Sequence, residues 1–318
     1  MARGPAGPAS GSDRTTPLDA LRLGYAMCDQ KNPGCPPCAR PPTMILSLFQ
    51  REPLLDETTA DWIHAVFAWA LREQGRKIFF GGTELVLPTP EFFPGRADNR
   101  DAMAQLVFES VRRHAGLSHW PCQLLAPGEL APQAYPPPPL AKPVRATGDE
   151  GPMDTAAAAP AQFRYIPELV GNPEALIANY AREFAHHIAA SARETPPAGE
   201  DNWGHVTELL AVFMGFGVML ANTAFNVQVN SCGSCQGPTA ERPGFLGRAE
   251  IAYALALFCR LKDIPPRHAK AHLGSPLRPY FRRAVQDLNR NPDLLARLRG
   301  DVPALPDPSL PGGFSKPF

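Results

Sequence analysis

The chain has 318 residues, and its 31 basic and 31 acidic side chains give a formal net charge of zero. Such a balance gives no argument for nucleic acid or an anionic membrane surface, and no run approaches the roughly 18 apolar residues of a membrane span. We therefore expect no nucleic-acid partner and no membrane span. Seven cysteines, an odd number, indicate a reducing cytoplasm rather than a disulfide framework.

Proline and glycine mark the expected boundaries of the domain. Residues 1–43 are rich in Gly, Pro, Ala and Ser, which predicts a disordered extension and favours Met44 as the true start. The Pro- and Ala-rich run 127–160 predicts a surface loop, and 301–318 predicts a Pro-rich tail. The sequence thus predicts one domain over residues 44–300.

Within that domain, apolar periodicity predicts mostly helices. The predicted helices are Asp56–Leu71, Asn99–Ala115, Pro173–Ala192, Val206–Ala224, Gly247–Leu261, Tyr280–Asn289 and a short turn or helix at Pro292–Leu298. The predicted strands are Lys77–Phe80, Glu84–Leu87, Cys122–Leu125 and Phe163–Ile166. The segment Val227–Pro243 predicts a loop, and Pro265-Pro266 a break in the chain. The expected fold class is α+β, mainly α-helical.

One predicted helix carries a pattern with chemical meaning. Arg182-Glu-Phe-Ala-His186 is the zinc-peptidase motif H-E-x-x-H with arginine at the position of the first histidine. In the intact motif two histidines one turn apart bind zinc, and the intervening glutamate activates the zinc-bound water. Here His186 would be a ligand and Glu183 the general base. Arg182 cannot ligate, because its guanidinium does not deprotonate.

A third ligand would come from the following helix. His205 lies 19 residues after His186, and Glu208 follows about one turn later on the same face. His186, His205 and Glu208 could therefore still form a three-ligand zinc site, with His187 as a weak substitute. A Glu-x-x-His pair on a helix is more often surface polarity or a core hydrogen bond, so both interpretations stay open.

The spacing of cysteines and histidines suggests two other metal sites. The pairs Cys35/Cys38 and Cys232/Cys235 have the C-x-x-C spacing of a four-thiolate zinc site, although unrelated loop cysteines are the commoner explanation. His268 and His272 are four residues apart, but the basic residues around them favour a solvated basic face.

Several segments together resemble an uncharacterised bacterial family of zincin-like proteins. They cover residues 44–290 and are Trp62–Leu71, Leu87–Pro94, Gly116–Pro121, Asn172–Ala178 leading into Arg182–His187, Thr207–Gly217 with Ala221-Asn222, Gly244–Leu246 and Ala252–Phe258. The resemblance implies a zincin-like helical core, zinc as cofactor and a peptide or protein substrate. The family carries an intact H-E-x-x-H and an Asp where this chain has Glu208.

The resemblance leads to two functional hypotheses. The chain derives from a metal-dependent peptidase, a hydrolase whose catalysis is impaired or lost because Arg182 removes a zinc ligand. Alternatively, it is a non-catalytic binding or scaffold protein, a pseudoenzyme in which Arg182 pairs with a carboxylate such as Glu208. In an active enzyme, Glu183 would act on water at a zinc held by His186 with His205 or Glu208.

Overall fold

The computed structural model describes residues 52–128, 142–146, 159–224, 226–228, 239–241 and 244–300. The chain divides into two units, Met1–Arg51 and Glu52–Phe318, and every described residue belongs to the second. The predicted tails, the expected start at Met44 and the four cysteines Cys35, Cys38, Cys232 and Cys235 lie outside the described residues.

Helices account for most of the described fold, which confirms the mainly α-helical class. The α-helices are α1 Glu57–Gln74, α2 Arg100–His114, α3 Pro173–Ala190, α4 Trp203–Ala211, α5 Gly217–Thr223, α6 Arg248–Leu261, α7 Pro266–His272, α8 Arg278–Asn289 and α9 Pro292–Arg299. Ile78–Gly82 and Val212–Phe216 are π-helical turns, and Pro167–Gly171 and Glu200–Asn202 are 3₁₀ turns. The strands are β1 Cys122–Leu125, β2 Ala161–Arg164, β3 Asn226–Gln228 and β4 Thr239–Glu241.

The predicted helix starts form because polar side chains satisfy the free N–H groups of the first turn. Asp56 accepts from the N–H of Thr59 ahead of α1, and Asn99 caps α2 in the same way. Asn172 caps α3, with proline at its first position and Glu174 in its first turn. These local signals make the boundaries of the three helices readable from the sequence.

The predicted continuous helix Val206–Ala224 is wrong, because Gly215 interrupts it. Gly215 has φ +102° and lies in the π-helical turn between α4 and α5. A Cβ there would meet the carbonyl oxygen of Glu84 at 2.0 Å, and the Gly215 carbonyl accepts from the N–H of Val86 at 3.0 Å. The extended segment around Glu84 therefore packs against the break, where only glycine fits.

Several short elements also differ from expectation. The segment predicted as the strand Lys77–Phe80 lies largely in the π-helical turn, and Glu84–Leu87 forms no sheet. The strands β1 and β2 pair in parallel across the predicted loop, with Cys122 opposite Ala161. The antiparallel pair β3–β4 lies in the predicted loop Val227–Pro243, and helix α7 directly follows the proline break. Short apolar runs have no strong period, so tertiary contacts decided them.

The hydrophobic core lies around α4, α5 and α6, with α3 packed against both α4 and α5. The region Trp203–Thr223 is long and apolar enough in composition to cross a membrane, but 89% of its most apolar window is buried inside the fold. It is therefore the central helical element of the core. It contacts α3 through Trp203, which donates to His186, and through Glu208, which pairs with Arg182, and these contacts place the candidate site.

Candidate functional site

The predicted motif and the predicted third ligand meet through an ion pair. Arg182 lies in the middle of α3 and Glu208 in α4, and Nε of Arg182 donates to Oε1 of Glu208 at 2.8 Å. The side chain of Glu208 is 1% exposed and that of Arg182 is 18% exposed. The structure thus contains the pair expected from the non-catalytic hypothesis.

Two backbone N–H groups complete the surroundings of the Glu208 carboxylate. Its Oε2 accepts from the N–H of Phe245 at 3.0 Å and of Leu246 at 2.8 Å. Gly244 permits this approach, because a Cβ at that position would lie 2.8 Å from Oε1 of Glu208. We call Arg182, Glu208 and the segment Gly244–Leu246 the α3–α4 centre. Three donors thus surround one buried carboxylate and provide hydrogen bonds to both of its oxygens.

An aromatic residue lies over the first turn of α4. Phe245 is 56% exposed, and its ring occupies the space that a side chain at Gly204 would need, 2.5 Å from the position of a Cβ. The ring of His205 lies 5.6 Å from that of Phe245 and 6.2 Å from that of Trp62. The predicted ligand His205 is therefore half-buried within a group of aromatic rings.

The other polar residues of the motif, Glu183 and His186, lie towards solvent. Glu183, the predicted general base, is exposed on α3. His186 is exposed, and its Nδ1 accepts from the indole N–H of Trp203 at 3.0 Å. The adjacent His187 packs against Trp120, with ring centroids 5.3 Å apart, and burial lowers its pKa. His186 thus has a defined partner in α4, and that partner is not a carboxylate.

The zinc ion that the resemblance implies does not fit this arrangement. A zinc site needs donor atoms with free lone pairs, whereas Glu208 is surrounded by N–H donors and a guanidinium. Arg182 brings a positive charge to the position that a first histidine would hold. Among the residues that the structure describes, no group of three His, Cys, Asp or Glu side chains is placed to hold a metal.

Sequence reasoning missed part of the centre. The role of Trp203, which holds His186, and of the N–H groups of Phe245 and Leu246 was not predicted. The segment Gly244–Leu246 belongs to the resemblance to the zincin-like family, but nothing in its sequence predicts a contact with Glu208. Backbone donors carry no residue signature, so only the folded chain reveals them.

Comparisons with known proteins add no relative. No protein-family model, no curated protein and no solved structure matches the chain. The functional argument therefore depends on the geometry of the centre and on the residues of the motif.

Proposed function

We propose that the chain is a non-catalytic descendant of a zincin-like metallopeptidase, and that it serves as a binding or scaffold protein. The observation that carries this proposal is the ion pair between Arg182 and the buried Glu208. In this proposal the positive charge of Arg182 substitutes for that of the zinc ion and neutralises the remaining acidic ligand.

The surroundings of Glu208 support that reasoning. A carboxylate that is 1% exposed is costly to bury unless it is paired and hydrogen-bonded, and here three donors supply both requirements. Glu183 and His186 are both exposed, and the hydrogen bond from Trp203 to His186 does not involve Glu208. The interactions at this centre are those of a structural ion pair, and no hydrolytic step is assigned to Glu183.

We further propose that the protein works in a reducing compartment, the cytoplasm. Cys122 and Cys259 are free thiols, and burial raises the pKa of each to about 12, which makes both poor nucleophiles. A peptide or protein, expected as the substrate of an active enzyme, is the partner that we propose for the binding role.

Zinc analysis tests the proposal directly. The protein, purified without chelator and dialysed at neutral pH, is expected to hold far less than one zinc per chain by atomic emission. The variant Arg182→His restores an imidazole one turn before His186, and zinc titration by calorimetry should then detect binding. Arg182→Gln is the matched control, because it removes the charge without adding a ligand.

Zinc bound to the natural protein would be the opposite result. One zinc per chain in the natural protein, lost in His186→Ala, would overturn the proposal in favour of a working metal centre. Zinc that persists in His186→Ala but is lost in Cys232→Ser would instead identify the cysteine site.

A further inference from the structure

The charge of the chain is balanced in total but not along its length. Between Arg260 and Arg299 there are ten arginine and lysine residues and three aspartates, an excess of seven positive charges. Two of the aspartates are paired, Asp263 with Arg299 at 2.7 Å and Asp287 with Arg290 at 3.3 Å. The net charge of zero therefore conceals a basic segment of the sequence, residues 260–299, which includes α7, α8 and α9.

Some of these cations hold the fold together. Nζ of Lys262 donates to two carbonyls of the first π-helical turn at 2.6 Å, and Arg283 donates to the carbonyl of Pro53 at 2.9 Å. Others have no such role. The exposed side chains of Arg267, Lys270 and Arg282 make no hydrogen bond or ion pair within the described part of the chain. Their charges are available to a partner.

Helix α8 presents a polar stripe to solvent. Arg278, Arg282, Gln286 and Asn289 recur at spacings of four, four and three residues, so they share one side of the helix, and all four are exposed. The stripe is about 16 Å long at 1.5 Å per residue. The opposite side is buried and consists of Phe281, Ala284 and Leu288. Arg267 and Lys270 are exposed on α7, which residues 273–277 join to α8, and we call these two residues together with the stripe the basic face.

The turn between α7 and α8 is held rigidly by Asn222 of α5. The Asn222 amide donates to the carbonyl of His272 at 2.9 Å and to the carboxylate of Glu174 at 2.7 Å. Its oxygen accepts from the N–H of Gly274 at 2.9 Å. The turn is further fixed by Arg278, whose Nε donates to the carbonyl of Leu273 at 2.9 Å. The two helices therefore keep a fixed relative position.

We propose that the basic face binds duplex DNA, with α8 lying in the major groove and α7 beside the phosphate backbone. A helix of this width fits that groove, and Arg, Gln and Asn are the side chains that pair with guanine and adenine edges there. Arg267 and Lys270 would neutralise phosphates. A lipid surface fits less well, since the apolar side of α8 is buried within the domain and cannot enter a bilayer.

The proposal extends beyond the proposed scaffold role and is independent of the fate of the metal site. It also revises the expectation, drawn from net charge, that nucleic acid is not a partner. Net charge averages over the whole chain, whereas binding depends on the local field of one face.

Salt-dependent binding tests the proposal. Fluorescence anisotropy with a labelled 20-base-pair duplex of mixed sequence is measured between 50 and 200 mM NaCl. The basic face contains four cations. If each releases a counterion on binding, the slope of log K against log salt is about −3.6, and the affinity for DNA falls roughly 100-fold across this range. The double variant Lys270→Gln/Arg282→Gln should reduce the slope to about −1.8. Arg193→Gln, an exposed arginine outside this face, is the control and should leave the slope unchanged.

A second arm separates DNA from other polyanions. Gln286→Ala/Asn289→Ala should weaken discrimination among duplex sequences without changing the salt slope. Absence of binding at 50 mM NaCl, an unaltered slope in Lys270→Gln/Arg282→Gln, or equal competition by polyglutamate of the same total charge would each overturn the proposal. Circular dichroism and a urea midpoint equal to that of the natural chain show that the variants are folded.

Discussion

The α3–α4 centre and the basic face use the same kind of side chain in opposite ways. In the centre, the charge of Arg182 is largely buried and is matched by a buried carboxylate at 2.8 Å. On the basic face, Arg267, Lys270 and Arg282 are exposed and lack a carboxylate partner among the described residues. The difference shows that a buried cation is tied to the fold by its paired carboxylate, whereas an exposed cation without such a pair is accessible to solvent.

The largest expected effect is on stability, and it separates the two regions. Arg182→Ala leaves the buried Glu208 without its cation and should lower the free energy of unfolding by about 3–5 kcal/mol. Arg282→Ala removes the same charge from the surface and should change that free energy by less than about 0.5 kcal/mol. Urea denaturation followed by circular dichroism measures both values.

Two controls sharpen this first prediction. Arg182→Lys keeps the charge but loses the guanidinium geometry and should fall between the natural chain and Arg182→Ala. Because salt screens buried pairs weakly, the penalty for Arg182→Ala should be nearly equal at low and high NaCl. Equal and small effects at Arg182 and Arg282 would contradict the contrast between buried and exposed cations.

A buried histidine tests what happens to an interior group that has no buried counter-charge. His64 of α1 is 5% exposed, and its Nε2 lies 3.0 Å from the hydroxyl of Tyr253. Burial lowers the pKa of His64 to about 4, against the opposing influence of Asp61. The unfolded chain takes up a proton below pH 6.5 and the folded chain does not, so stability should fall as pH falls from 6.5 to 4.

The contribution of His64 is measurable as a slope. The free energy of unfolding should fall by at most about 1.4 kcal/mol for each pH unit between pH 6.5 and 4 because of this residue. Urea midpoints from pH 7 to 4.5, compared with His64→Gln, isolate the effect from the titration of carboxylates. The same pH dependence in both proteins would show that His64 is not the cause.

Two glycines, one in each region, should give a smaller contrast than the two arginines. Gly244→Ala would place a Cβ 2.8 Å from Oε1 of Glu208, an atom held by Arg182, and should cost about 1–3 kcal/mol. Gly274→Ala in the α7–α8 turn meets nothing closer than 3.7 Å and should be neutral or slightly stabilising. Thermal unfolding of the two variants gives the comparison, and a larger loss at Gly274 would contradict it.

The sequence predicted different features of the α3–α4 centre and of the basic face. The helix carrying Arg182 was predicted because Asn172, Pro173 and Glu174 are strong local start signals. The pairing of Arg182 with Glu208 was one of two alternatives, since the other assigned Glu208 as a possible zinc ligand, and the structure contains the ion pair. The basic residues around His268 and His272 were predicted to form a solvated face, whereas helix α7 was not predicted, because it has few apolar positions.

By itself, the sequence determined the mainly helical class, the caps of the long helices and the residues of the altered motif, since these depend on local periodicity and side-chain chemistry. Only the tertiary structure decided which donors surround Glu208, why Gly215 breaks the central helix, and which cations are free. Each of these depends on backbone atoms or on segments distant in sequence, such as Phe245 and Leu246 against Glu208 or Glu84 against Gly215. Contacts of that kind leave no periodic trace in the chain.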